Sequence, residues 1–301
     1  MWFIAALLTT AAWGCADLFY KKGSDPDDRH SHQKIVIAVG LVMGLHATAY
    51  MLLTGIRFDP ADLLLYLPVS ALYILSMAIG YVGLRYIELS IASPVQNSSG
   101  AMTTILLVLV FHHVLSGPEI FGVTLVTTGV IVLAVLEKRA ERKARLADAG
   151  ATDPKYRLGF LAIVFPILYA VIDGLGTFAD AVYLDELSLI GEDAALIAYE
   201  YTFLLVAAAA WVHLRLKRVP FNLFREKEKG AAALFETAGQ FFYVIAMAQN
   251  AVISAPIIAS YSIVSVLLSR LFLKEKLSRA HYAVIAAVML GIAVLGAADA
   301  E

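Results

Sequence analysis

The residues of this chain with the most chemistry to offer are acids set inside apolar runs: Asp17, Asp173, Asp180, Glu200 and Glu236. Helical spacing gathers them with aromatic and amide side chains, because residues three, four or seven apart share a face. Trp13 and Asp17 are four apart. Tyr169, Asp173, Gly176 and Asp180 follow at i, i+4, i+7 and i+11, and Glu236, Gln240 and Tyr243 at i, i+4 and i+7. Tyr199, Glu200 and Tyr201 are consecutive, and Gln96-Asn97-Ser98-Ser99 comes just after Pro94, where a broken turn would free backbone carbonyls. Tyr and Trp rings attract a cation through their quadrupoles, by ~2 kcal/mol or more when desolvated, and a carboxylate supplies the neutralising charge. That is the chemistry of an organic-cation site. The candidate binding residues are Trp13, Asp17, Tyr81, Asn97, Tyr169, Asp173, Glu200, Glu236, Gln240 and Tyr243.

Each has a plainer reading. Trp13 and the tyrosines could be packing aromatics. Asp17 lies one turn from Lys21 and could pair with it near a membrane surface. Asp180 is expected at the outer boundary of its span. Glu200, or Glu236 with Gln240, could bond a neighbouring helix. His46, alone on an apolar run, is expected as a satisfied core histidine.

The elements that must position these groups are apolar and long. The chain has 301 residues, 60% of them hydrophobic and only 16% charged, too few charges to cover a soluble domain. A helix crossing ~30 Å of hydrocarbon needs about 20 apolar residues. Ten segments fit: 2–20, 35–56, 62–85, 90–111, 119–136, 158–184, 194–214, 230–248, 251–272 and 281–298. Residues 2–20 begin without a basic region and are expected to be a retained span. Of the 23 Lys and Arg, 22 fall by the ends joining odd-numbered segments to the even-numbered ones after them; only Arg57 falls opposite. Positive charge marks the cytoplasmic side, so those connections are expected inside and both termini outside. A charged side chain at mid-bilayer costs ~2.5–3.5 kcal/mol, so the five acids must be protonated, wetted or neutralised by something other than the chain.

The second half echoes the first at a shift of 162 residues. Pro94 falls on Pro256, Ser98 on Ser260, Leu115-Ser116 on Leu277-Ser278, Gly129 on Gly291, and Tyr81 on Tyr243. Five spans is an odd number, so the halves must lie upside down to one another. The charges agree: Phe272-Leu-Lys-Glu-Lys-Leu-Ser-Arg279 is basic, whereas its counterpart Val110-Phe-His-His-Val-Leu-Ser-Gly117 has no Lys or Arg. The expected fold is an all-α membrane protein of ten transmembrane helices in two inverted five-helix repeats. The halves are 1–136 and 158–301, joined by a cytoplasmic linker over 137–157.

These residues resemble the drug/metabolite transporter superfamily, EamA type. The likeness lies in Trp13-Gly14, in Gly83-Leu-Arg-Tyr-Ile-Glu-Leu-Ser-Ile-Ala-Ser-Pro94, and in Phe272-Leu-Lys-Glu-Lys-Leu-Ser278 leading to Gly291-Ile-Ala-Val-Leu-Gly296. The family ends its fourth and ninth spans with Glu before Leu-Ser or Leu-Thr. Glu275 fits, and His113 stands where the first half would carry the other. The resemblance implies a site between spans 1–4 and 6–9, with spans 5 and 10 behind it, and alternating access by rocking of the halves. It also implies a bacterial plasma membrane, and choline-transporting members resemble the aromatic-lined arrangement. The resulting expectation is a secondary transporter of a small cationic or zwitterionic metabolite such as a quaternary amine, polyamine or amino acid. Protons would couple through Asp173 or Glu236. The rival is an exporter of neutral amino acids or hydrophobic drugs whose acids serve protons alone.

Other classes fit poorly. Asp173 and Asp180 share a helix, no Gly-x-Gly-Asp occurs, and there is no His-Glu-x-x-His, so an enzyme is not expected. Cys15 is the sole cysteine, and the histidines of 25–32 and His112-His113 are not arranged as metal sites. No metal or other cofactor is expected. With a net charge of −2, no nucleic acid is expected either. The partners are small-molecule substrate, protons and the bilayer, with a homodimer left open.

Overall fold

The computed structural model describes residues 1–25, 27–87, 89–147, 164–274 and 277–298, and these contain helices and turns but no strand. In chain order the helices are α1 (Trp2–Gly23), α2 (Ser31–Thr54), α3 (Pro60–Leu65), α4 (Leu67–Gly83), α5 (Leu89–Gln96) and α6 (Ser99–Phe111). They continue with α7 (Gly117–Ala147), α8 (Val164–Ala181), α9 (Glu192–Leu216), α10 (Lys227–Ala259), α11 (Tyr261–Leu268) and α12 (Arg279–Ala298). Single π-helical turns extend α8 over Val182–Glu186 and α11 over Ser269–Leu273. Glu88, Glu275 and the linker residues 148–157 lie outside the described residues, whereas 137–147 continue α7.

Seven stretches among the described residues are long and apolar enough to cross a membrane: Trp2–Gly23, Ser31–Thr54, Ala92–Phe111, Gly117–Leu136, Val164–Glu186, Glu192–Leu216 and Lys227–Leu273. Leu67–Gly83 and Arg279–Leu295 are apolar but shorter. The last of the seven has 47 residues, which as one straight helix would reach about 70 Å, far beyond a bilayer's ~30 Å core. It is interrupted at Asn250, whose backbone leaves helical geometry (φ −164°, ψ 77°). The N–H of Ala251 just past the break donates to Asp185 Oδ2 at 2.8 Å, so the restarted helix does not leave that donor bare.

Local chemistry explains the other joints. Asp59 caps α3 by accepting from Ala61 N–H at 2.9 Å, with Pro60 in the first turn, where it needs no donor. The segment expected over 62–85 is split at Tyr66 into α3 and α4, with Pro68 in the first turn of α4. Past Pro94 the chain turns at Asn97 and Ser98, and Asn97 Nδ2 donates to Ser93 O at 2.8 Å. Pro256 has no N–H for the carbonyl four residues earlier. That carbonyl, Val252 O, accepts from Thr104 Oγ1 at 3.2 Å.

The helices pack in pairs: α1 on α10, α4 on α8, α2 on α9, and α7 on α12. Small residues let them approach. In the α7–α12 pair, a Cβ on Gly129 would collide with Val288, and one on Gly291 would sit 2.9 Å from Val126. Leu45, Leu109, Leu205 and Leu290 stand exposed on α2, α6, α9 and α12, an apolar outer surface suited to lipid rather than water.

Candidate functional site

The inner faces of these helices border a cavity of about 820 Å³, part of it open to solvent. Trp13, Asp17 and Tyr20 reach it from α1, at the i, i+4 and i+7 positions of one face. Tyr73, Met77 and Tyr81 come from α4, Tyr169 and Asp173 from α8, and Glu236, Gln240 and Tyr243 from α10. The broken region between α5 and α6 contributes Gln96, Asn97 and Ser99; Tyr199 of α9 and Tyr261 of α11 complete the aromatic wall. Among the described residues, no Lys, Arg or His lines it.

The aromatic rings hold each other in place. Trp13 stacks on Tyr243 with centroids 5.0 Å apart, meets Tyr261 edge-on at 5.8 Å, and donates Nε1–H to Glu236 O at 3.2 Å. Gly239 makes this placement possible, because a Cβ there would collide with the indole. Tyr20 and Tyr81 lie 4.7 Å apart, and both hydroxyls are buried with no partner at hydrogen-bonding geometry among the described residues.

The carboxylates are held differently from one another. Asp17 Oδ2 accepts from Ser93 Oγ at 2.5 Å and Ser265 Oγ at 2.7 Å. Lys21 Nζ, one turn on, donates to Leu84 O and Ile87 O at 2.6 and 2.7 Å. Asp173 accepts from Ser99 Oγ at 2.8 Å and Ser76 Oγ at 3.3 Å. Glu236 lies beside the Tyr20 hydroxyl on the cavity wall. Each aspartate is thus oriented by two hydroxyl donors and keeps a face toward the cavity.

Residues 1–135 match the model of the EamA-like transporter family. That stretch is similar to EamA-like transporters. The match indicates a membrane transporter of the drug/metabolite type, and the matched stretch supplies Trp13, Asp17, Tyr81 and Asn97 to the cavity. One solved crystal structure superposes with a TM-score of 0.67 over 98% of this chain and 96% of that one; at 15% identity the likeness concerns the fold. A search of curated proteins finds no match.

Nine of the ten residues singled out in the sequence meet at this cavity: Trp13, Asp17, Tyr81, Asn97, Tyr169, Asp173, Glu236, Gln240 and Tyr243. Glu200 does not line it. Its carboxylate is fully buried and bonded by His46 Nδ1 at 2.8 Å, across the α2–α9 contact. Asp180, expected at the outer boundary of its span, is not among the candidate binding residues. It is fully buried and accepts from the Tyr66 hydroxyl. His113, at the position where the resemblance leads one to look for Glu, bonds Glu186. Tyr20, Tyr73 and Tyr261 line the cavity without having been singled out. Tyr20 was detectable, three residues beyond Asp17 and seven beyond Trp13; Tyr73 begins the 73, 77, 80 row that Tyr81 adjoins.

Proposed function

We propose that the protein is a secondary transporter of a small cationic or zwitterionic organic metabolite, such as a quaternary amine, polyamine or amino acid, coupled to protons and working by alternating access. One observation carries the reading: among the described residues, Asp17, Asp173 and Glu236 face a cavity walled by Trp13 and seven tyrosines, with no basic side chain in its lining. Up to three negative charges inside the bilayer require compensation, and a cation over aromatic faces beside a carboxylate supplies it.

Two inverted halves of five spans, 1–136 and 158–301, would rock about this cavity. The break at Asn250 divides the 47-residue stretch into two spans, and α4 and α12 add two shorter ones, which supports a count of ten. The pairing of α7 with α12 supports the inversion. Gly129 packs on Val288 and Gly291 on Val126, and the shift of 162 turns one contact into the other. A two-fold relation produces such exchanged pairs. The family resemblance favours a plasma-membrane protein, and the Lys and Arg distribution favours both termini outside.

The test is ligand-induced stabilisation of the purified protein. A ligand at 100 times its Kd adds about 2.7 kcal/mol to apparent stability. Choline, spermidine or lysine is expected to raise the melting temperature of the wild type, and Glu236→Gln to abolish the rise. Stabilisation by leucine with none from any of these cations would instead favour an exporter of neutral amino acids.

A further inference from the structure

Three acids line the cavity, and two of them are held by serines. Asp17 takes Ser93 of α5 and Ser265 of α11, both at Oδ2, which leaves Oδ1 for a ligand. Asp173 takes Ser99 of α6 at Oδ2 and Ser76 of α4 at Oδ1. The two sets share no serine, and the four serines come from four helices. Ser76, Ser93 and Ser265 have none of their surface exposed and are not part of the lining, so they hold the acids without competing for what binds in front of them. Glu236 of α10 adds a third charge, but no serine among the described residues orients it.

The two sets are built alike. In each, one serine commits its hydrogen to the acid. Ser93 Oγ accepts from Asn97 Nδ2 at 3.3 Å, so its own hydrogen goes to Asp17. Ser99 directs its hydrogen at Asp173. The second serine of each set divides its hydrogen with a carbonyl of its own helix: Ser265 with Tyr261 O at 3.2 Å, and Ser76 with Tyr73 O at 2.8 Å. Hydroxyl donors fixed in this way stand in for water around a negative charge and set its direction before a ligand arrives. The cavity therefore holds two separately built anionic sockets in one aromatic wall.

A ligand with a single positive charge answers one socket and leaves the other without compensation inside the bilayer, where a bare carboxylate is costly. A chain with an ammonium at each end answers both. Each ammonium brings three hydrogens for the carboxylate oxygens, and the methylenes between them suit a lining rich in Tyr and Trp. We propose that the ligand is a linear α,ω-diamine, with Asp17 receiving one ammonium and Asp173 the other. This rests on the cation reading above and narrows it: quaternary amines and other monocations bind, but only as half-fitting ligands.

Thermal shift of the purified full-length protein tests the proposal with putrescine and cadaverine against butylamine and choline. Losing one member of a close charge pair commonly changes affinity tenfold or more. The better diamine is therefore expected to reach half its full stabilisation at a concentration at least about tenfold below that of butylamine. Asp17→Asn and Asp173→Asn, made singly, are each expected to bring the diamine to butylamine's level. If butylamine matches both diamines on the wild type, the proposal is overturned while the cation reading stands. A diamine preference that survives in either folded variant overturns it as well. Stabilisation by none of the four ligands removes the cation reading and the proposal together. The wild-type comparison stands by itself if a variant fails to fold.

Discussion

At the scale of single residues, Trp13 is held from several sides at once: Tyr243 stacks on it, Tyr261 meets its edge, Glu236 O accepts its N–H, and Gly239 lies against its ring. The glycine is the simplest point at which to disturb this. Gly239→Ala adds one methyl group where the indole sits. Overpacking of that kind costs ~1–3 kcal/mol. The expected outcome is a lowered melting temperature together with a weaker response to choline, because the ring that moves is a wall of the cavity. A variant that melts normally and responds normally would show that the indole has room to shift. Much of this wall was legible in the chain, since i, i+4, i+7 spacing identifies a helix face and most chosen residues lay on such faces. Glu200 shows the limit. Periodicity says which side chains share a face, but not which neighbour that face meets, and Glu200 meets His46 rather than the cavity. Asp180 shows the same limit, for its partner Tyr66 stands 114 residues away in sequence.

At the scale of elements, the breaks carry the interest. Pro94 announced an irregular turn, and α5 gives way to α6 just after it; Pro256, its match in the repeat, stands just before α10 gives way to α11. The break at Asn250 was less legible, because the acid that meets the freed Ala251 N–H, Asp185, lies 66 residues away in sequence; the split at Tyr66 was not expected either. The two π-helical turns had no signal at all. Pro256 offers a clean experiment. It leaves Val252 O without its helical donor, and Thr104 Oγ1 of α6, 3.2 Å from both Val252 O and Gly100 O, shares its hydrogen with it. Thr104→Val should therefore cost ~1–3 kcal/mol, the usual cost of an unsatisfied buried carbonyl. In a Pro256→Ala background the new N–H can bond Val252 O, so the same Thr104→Val change should cost far less. Denaturation of the four proteins in one double-mutant cycle measures the difference. Equal costs in both backgrounds would mean that the hydroxyl does not stand in for the missing helical bond.

At the scale of the whole molecule, charge and repeat make one joint claim. Asp28 and Lys34 pair at 2.7 Å, Lys34 reaches Glu226 at 3.4 Å, and Glu226 meets Lys229 at 2.5 Å. This cluster joins the connection after α1 to the start of α10, on the side that the proposed topology makes cytoplasmic. If the halves are inverted, residues equivalent under the shift of 162 must face opposite sides of the membrane. Gly117 and Arg279 are such a pair, each exposed and each at the start of a helix, α7 and α12. Cys15 is the sole cysteine, so Cys15→Ser gives a silent background. In it, Gly117→Cys should react with a membrane-impermeant maleimide added to intact cells, whereas Arg279→Cys should react only once the membrane is opened. Substitution at Gly117 has room, for nothing lies within 4 Å of where its Cβ would stand. Labelling of both positions from the same side would remove the inversion, and the rocking mechanism with it, while leaving the aromatic cavity and its acids as they are.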